Sequence, residues 1–182
     1  MNKRFFFILF IAAIFSSIGC KNNTQEENKD VLAYNEQNDF NSNSALSEKA
    51  PDFTLKSVDG KNIKLSSYKG KIVILDFWAT WCGPCRKGIP DLISLQKEFP
   101  KDLVVIGISV DRETKNNVPK FIKDYGVNYP IVYYTEDVVK NYGGIEAIPT
   151  AFIIDKNGNI VDKHVGLVDK DIYVKTIKKL KG

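Results

Sequence analysis

Two cysteines stand two residues apart in Trp81-Cys82-Gly83-Pro84-Cys85, a spacing at which a disulfide can open and close while the backbone hardly moves. The same two thiolates could instead hold a soft metal ion. Asp76, six residues before Cys82, interrupts an apolar run, where an ionisable side chain is unusual and well placed to exchange protons. Far downstream, Ile148-Pro149-Thr150 puts an X-Pro bond in front of another apolar stretch. The third cysteine, Cys20, is distant from the other two, so an internal disulfide is most simply Cys82 to Cys85. A zinc centre needs about four ligands, which one Cys-x-x-Cys pair and a lone histidine, His164, do not supply. No metal and no separate cofactor is therefore expected; the dithiol is its own redox group.

Hydrophobic periodicity supplies the elements that must hold these residues. Residues 72–77 form a continuous apolar run of the kind buried on both faces of a central strand. After the cysteines, Ile89, Leu92, Ile93, Leu95 and Phe99 recur at near-helical spacing up to Pro100, which puts the pair at the start of a helix that Pro90 is expected to kink. Residues 103–110 predict a second buried strand, 114–125 a helix, 129–134 a short strand and 137–142 one or two helical turns. Residues 150–154 and 160–165 flank Lys156-Asn157-Gly158, a hairpin signal, and 169–180 predict a closing amphipathic helix. Ahead of all of these, 52–55 and 63–65 alternate around Asp59-Gly60 and predict an N-terminal β-hairpin. The whole reads as an α/β fold with a mixed central sheet flanked by helices.

The 182 residues, 43% apolar and 12% aromatic, suffice for one domain with its own core. Lys3 and Arg4 precede an apolar run over 5–18 that falls short of the roughly 20 residues a membrane span needs. Residues 1–19 therefore predict a signal peptide. The run ends in Ser16-Ser17-Ile18-Gly19-Cys20, which resembles the lipobox of bacterial lipoproteins apart from Ser17 in place of the usual Leu. The resemblance implies cleavage before Cys20 and lipidation of its thiol; the alternative is an uncleaved N-terminal anchor, and both put the domain outside the cytoplasm. Residues 21–49 carry seven asparagines and no sustained apolar period, so 20–49 read as a lipidated cysteine followed by a disordered tether. Such a tether reaches roughly 30 Å as a flexible coil, and the domain proper spans 50–182. Without Lys3 and Arg4 the formal charge of +4 becomes 24 basic against 22 acidic residues, which gives no sign of a nucleic-acid partner.

With Asp76-Phe77-Trp78-Ala79-Thr80-Trp81-Cys82-Gly83-Pro84-Cys85 and Ile148-Pro149-Thr150 in hand, the chain resembles the thioredoxin superfamily. Through Cys85-Arg86-Lys87 with Pro90, Tyr125-Gly126-Val127 and the hairpin at 154–158, it resembles more narrowly the TlpA/ResA-like extracytoplasmic thiol-disulfide oxidoreductases. The resemblance implies a thioredoxin-like fold with Pro149 cis beside the dithiol, turning the Ile148 backbone into an edge for an extended substrate; on its residues alone, Pro149 reads as an ordinary trans proline. Cys82, at a helix N-terminus, is the expected exposed attacker, its thiolate stabilised there. Cys85, one turn in, is the shielded resolving thiol. Pro84 suits an early helix position, Gly83 leaves room for substrate, Trp81 is expected on the contact face and Trp78 in the core. Asp76, if buried, would have its pKa raised and could take the Cys85 proton through water. Three positions depart from the pattern: Gly88 where the narrower family often has an acid, Asp76 where it often has Asn, and Gly107 where thioredoxin has a lysine near its buried acid.

These readings predict a membrane-tethered extracytoplasmic oxidoreductase, on the periplasmic side of a bacterial membrane, that reduces protein disulfides. A Gly-Pro dithiol near the reducing end of the scale, about −270 mV, would stand out of equilibrium with an oxidising compartment and need a membrane electron donor. Clients implied by the resemblance are apocytochromes c in cytochrome c biogenesis and mis-oxidised proteins. Two alternatives remain open. A thiol peroxidase of peroxiredoxin type would want Pro and Thr ahead of a single reactive cysteine, and Thr80 is misplaced for that; a copper(I)-binding thiol chaperone would suit soft thiolates, though such relatives generally show a wider spacing and a histidine.

Overall fold

A computed structural model describes residues 48–182. The leader, the lipidation of Cys20 and most of the tether, expected within 1–47, lie outside the described residues.

The strand β4 (Ile72–Trp78) is buried along its whole length, because Ile-Val-Ile-Leu-Asp-Phe-Trp presents large side chains to both faces of the sheet. It pairs in parallel with β5 (Leu103–Ser109) and antiparallel with β7 (Thr150–Ile154). β6 (Ile131–Tyr133) adds in parallel beyond β5, and β8 (Asn159–Val165) adds antiparallel beyond β7. The last strand is β1 (Glu48–Lys49), paired with β8 ahead of the expected domain boundary at Ala50. The order is β1-β8-β7-β4-β5-β6, a mixed six-stranded sheet. A separate hairpin of β2 (Thr54–Lys56) and β3 (Asn62–Lys64) is joined to β6 through a bridge between Ser57 and Val132.

Alternation along β4 divides the core in two. Ile72, Ile74 and Trp78 face a cluster with Ile89, Leu92 and Leu95 of α1 (Gly83–Glu98), Val118 of α2 (Val118–Tyr125) and Tyr173 and Ile177 of α4 (Lys170–Lys181). Val73, Leu75 and Phe77 face Phe53, Leu55 and the Val138 and Tyr142 side chains of and beside α3 (Glu136–Asn141). Asp76 shares the parity of Ile74 and Trp78, which sends its carboxyl toward α1 and α4. The helix α1 continues past Pro90 as one element to Glu98. α2 starts later than the expected residue 114: Lys115–Asn117 make a separate 3-10 turn, and Pro119 sits in the first turn of α2, where a missing N–H leaves no hydrogen bond unmade.

Candidate active site

β4 ends at Trp78 and the chain turns through 79–82 into α1, the turn closed by a hydrogen bond from Cys82 N to Ala79 O at 3.2 Å. Cys82 caps the helix with extended backbone (φ −78°, ψ 109°), and its Sγ accepts from Cys85 N at 3.2 Å. The two sulfurs are bonded at 2.08 Å with Cα atoms 5.3 Å apart, so the structure is that of the oxidised form. A sulfur at this position meets unpaired N–H groups and the positive end of the helix dipole, both of which favour a thiolate once the bond is cut.

Cys82 is not exposed as expected: it is 5% accessible against 3% for Cys85. In the disulfide Cys82 Sγ turns in toward the helix, with Ile148 O only 3.7 Å away. A disulfide sulfur carries no hydrogen, so this is a contact, and it becomes available as an S–H···O bond only on reduction. The accessible part of the site is its rim: Trp81 is 62% exposed, and Gly83 and Pro84 are exposed beside it. Trp78 is buried against Phe121, ring centroids 5.0 Å apart.

The Ile148-Pro149 peptide is cis, Pro149 buried and Ile148 half-buried. Hydrogen bonds hold this loop from both sides: Thr150 Oγ1 donates to Ala147 O at 2.7 Å, and Gly166 N donates to Pro149 O at 2.8 Å. Pro149, Asp76 and Cys85 line one narrow cleft, with Gly88, Leu167 and Tyr173 completing its walls. Asp76 is buried, and burial pushes its carboxyl up to about 7. It has no hydrogen-bond partner among the described residues, so water in the cleft is its natural link to Cys85.

The two departures near this acid have steric explanations. Gly107 lies directly across from Asp76 in the β4–β5 register, and a Cβ there would stand 2.5 Å from Ile131 Cδ1 and 2.9 Å from Trp78 Nε1. Those side chains occupy the space a lysine would need, and burial acts on Asp76 unopposed. At Gly88 a Cβ would lie 3.1 Å from Leu167 Cδ1, so an aliphatic tip covers the place of the missing acid.

Three features had no counterpart in the sequence reading. Arg86, in the first turn of α1, donates from Nε to Tyr125 Oη at 2.7 Å, and Tyr125 stacks on Phe121 at 4.0 Å, tying α2 to the start of α1. Asp111 is 1% exposed and gathers donors from Thr80, Ser109 and Thr114. His164 is half-buried, edge-on to Tyr173 at 6.0 Å; its Nε2 lies 3.1 Å from Asp162 Oδ2 but off the line of a hydrogen bond. The run Ser109-x-Asp111-x-x-Thr114 at a strand end carries the hydroxyls and acid of a local network and could have marked the second of these. Among the described residues no group of three or more His, Cys, Asp or Glu side chains is placed to hold a metal ion, and no helix is long and apolar enough to cross a membrane.

Residues 46–163 match the AhpC/TSA family. The chain is 36% identical over 138 residues to thiol-disulfide oxidoreductase ResA of Geobacillus thermodenitrificans, covering 75% of this chain and 79% of that protein. Among solved structures, a putative thiol:disulfide interchange protein DsbE from Chlorobium tepidum superposes with a TM-score of 0.70 at 32% identity, covering 76% of this chain and 99% of that one. An exposed lipoprotein thioredoxin of Streptococcus pneumoniae superposes with a TM-score of 0.62 at 35% identity, covering 71% and 100%.

Proposed function

The chain belongs to the AhpC/TSA family, as a thiol-disulfide oxidoreductase of ResA and DsbE type, and from that premise we propose that it is a membrane-tethered reductase of protein disulfides outside the cytoplasm. The observation that carries this reading is the Cys82–Cys85 disulfide at the N-terminus of α1, beside a buried carboxyl and a cis Ile148-Pro149 peptide.

In the reduced protein the Cys82 thiolate attacks one sulfur of a client disulfide. The client S–S bond breaks, the other client sulfur leaves as a thiolate and takes a proton, and Cys82 is left in a mixed disulfide. Asp76, ionised near or above pH 7, draws the proton from Cys85 through water in the cleft they share. Cys85 then attacks Cys82, the client leaves as a dithiol, and the protein is left as the oxidised pair seen here. Two electrons and two protons have passed to the client. The Ile148 edge pairs with the extended client backbone, and Trp81, Gly83 and Pro84 meet its side chains.

A membrane protein returns the electrons, since the surroundings are oxidising. The anchor is the lipid on Cys20, after removal of residues 1–19, and residues 21–47 give the reach, since 48–49 join the sheet as β1; the lipobox-like leader and the likeness to the pneumococcal lipoprotein support this. Clients of the apocytochrome c or mis-oxidised class follow from the family resemblance.

The test is a trap. With Cys85→Ala, Cys82 should accumulate mixed disulfides that thiol reductants release, while the wild type reduces insulin. Absence of both would overturn the reading, and peroxide consumption outpacing insulin reduction would replace it with a peroxidase. Fatty-acid labelling that is equal in wild type and Cys20→Ala would remove the lipid anchor.

A further inference from the structure

Asp111 lies just past the end of β5, 1% exposed, and every hydrogen bond its carboxyl makes is one it accepts. Thr80 N donates to Oδ2 at 3.0 Å and to Oδ1 at 3.3 Å, Thr80 Oγ1 to Oδ1 at 2.5 Å, Ser109 Oγ to Oδ2 at 2.9 Å, and Thr114 Oγ1 to Oδ1. That is the company of an anion. The nearby cations do not neutralise it: Arg112 pairs with Glu136 at 2.9 Å, and Lys115 sits over the Tyr133 ring at 4.3 Å.

Thr80 is two residues ahead of Cys82, inside the turn that Cys82 N closes on Ala79 O. The carboxylate therefore pins the segment that sets Cys82 on the end of α1. The 3.0 Å contact to Thr80 N and the two-residue step on to Cys82 keep its charge within about 13 Å of the Cys82 sulfur. A buried negative charge at that range opposes formation of a second one on Cys82.

We propose that Asp111 is a positioning residue that also biases the dithiol: it fixes Thr80–Cys82 and, by disfavouring the Cys82 thiolate, holds the couple toward the reducing end. This rests on the dithiol-exchange reading above. The balanced equilibrium is protein disulfide plus two glutathione thiols giving protein dithiol plus glutathione disulfide. At an effective dielectric near 20, a unit charge about 13 Å away is worth about tenfold in that equilibrium, which for two electrons is about 30 mV.

The experiment measures the glutathione equilibrium of the full chain at pH 8, and in parallel the pH at which Cys82 becomes alkylatable. Asp111→Asn, nearly isosteric, should make the dithiol about tenfold harder to oxidise and lower the alkylation midpoint. Thr114→Val, at a half-exposed position, removes one donor and leaves the charge less screened, so it should shift both quantities the other way. A role confined to packing would move the melting temperature and leave these opposed shifts absent. Unshifted or same-direction variants overturn the proposal while the wild type still equilibrates. A wild type that does not equilibrate with glutathione overturns the dithiol reading itself.

Discussion

Replacing Asp76 by Asn should make the oxidised protein more stable and, at the same time, a poorer enzyme. In the unfolded chain the carboxyl gives up its proton near its ordinary 3.8, whereas in the folded protein burial postpones this to about 7. Between those values the folded state holds a proton that the unfolded state has lost, so stability falls as pH rises through that window. Its contribution is intact below about pH 4 and gone above about pH 7. At 1.36 kcal/mol for each pH unit the gap amounts to about 4 kcal/mol, and the carboxyl is too deeply buried for solvent screening to reduce it. Against a net stability of about 5–15 kcal/mol this is a large fraction. Asn is uncharged throughout, so the variant should match the wild type at pH 4 and exceed it by up to about 4 kcal/mol at pH 8. With m near 2 kcal/mol/M, the urea midpoint of the oxidised protein should rise by about 2 M at pH 8 and hardly at all at pH 4. A difference that is the same at both pH values would mean that Asp76 does not carry a buried proton.

Other consequences can be checked alongside. Insulin reduction by the wild type should rise between pH 6 and 8 as Asp76 ionises, and Asp76→Asn should flatten that rise and lower the rate at neutral pH; an unchanged rate would remove Asp76 from the proton path. Gly107→Ala forces a Cβ to 2.5 Å from Ile131 Cδ1 in a fully packed layer, for a loss of about 1–3 kcal/mol in urea unfolding. Gly88→Ala meets only the half-exposed tip of Leu167, which can swing aside, so its cost in the same assay should stay below about 1 kcal/mol. Thr150→Val removes the donor that fastens Ala147 O across the Pro149 loop and should cost about 1 kcal/mol while raising KM for insulin.

What could be read from the chain alone was whatever is encoded within a few residues. The Cys82/Cys85 pair, the helix it opens and the fully apolar β4 follow from short spacings, and β7 and β8 flank a turn that Asn157-Gly158 announces. Partners far apart in the chain were hidden. Thr80 and Asp111 are 31 residues apart, and Cys82 and Ile148 are 66 apart, so neither the clamp behind the dithiol nor the shielding of Cys82 has a local signature. Gly107 could be noticed as a missing lysine, but the reason, Trp78 and Ile131 filling the space, exists only once β4, β5 and β6 are side by side. The cis state of Pro149 was accessible through family resemblance and not through its neighbours, since Ile-Pro-Thr before a strand reads equally well as trans.

The pairing of Glu48 and Lys49 with β8 also bears on crowding. Molecules held to a surface meet one another at high two-dimensional concentration, where a bare strand would act as a template for the next copy. Here Glu48 and Lys49 cover Asn159 and Ile160 at the start of β8, and the other border is the three-residue β6, bridged by Ser57. Part of one border is thus covered, and the other is short. On the proposed function an unfolded client pairs with the short Ile148 edge, and a contact of a few residues can let go as soon as the mixed disulfide is resolved, which favours turnover over capture.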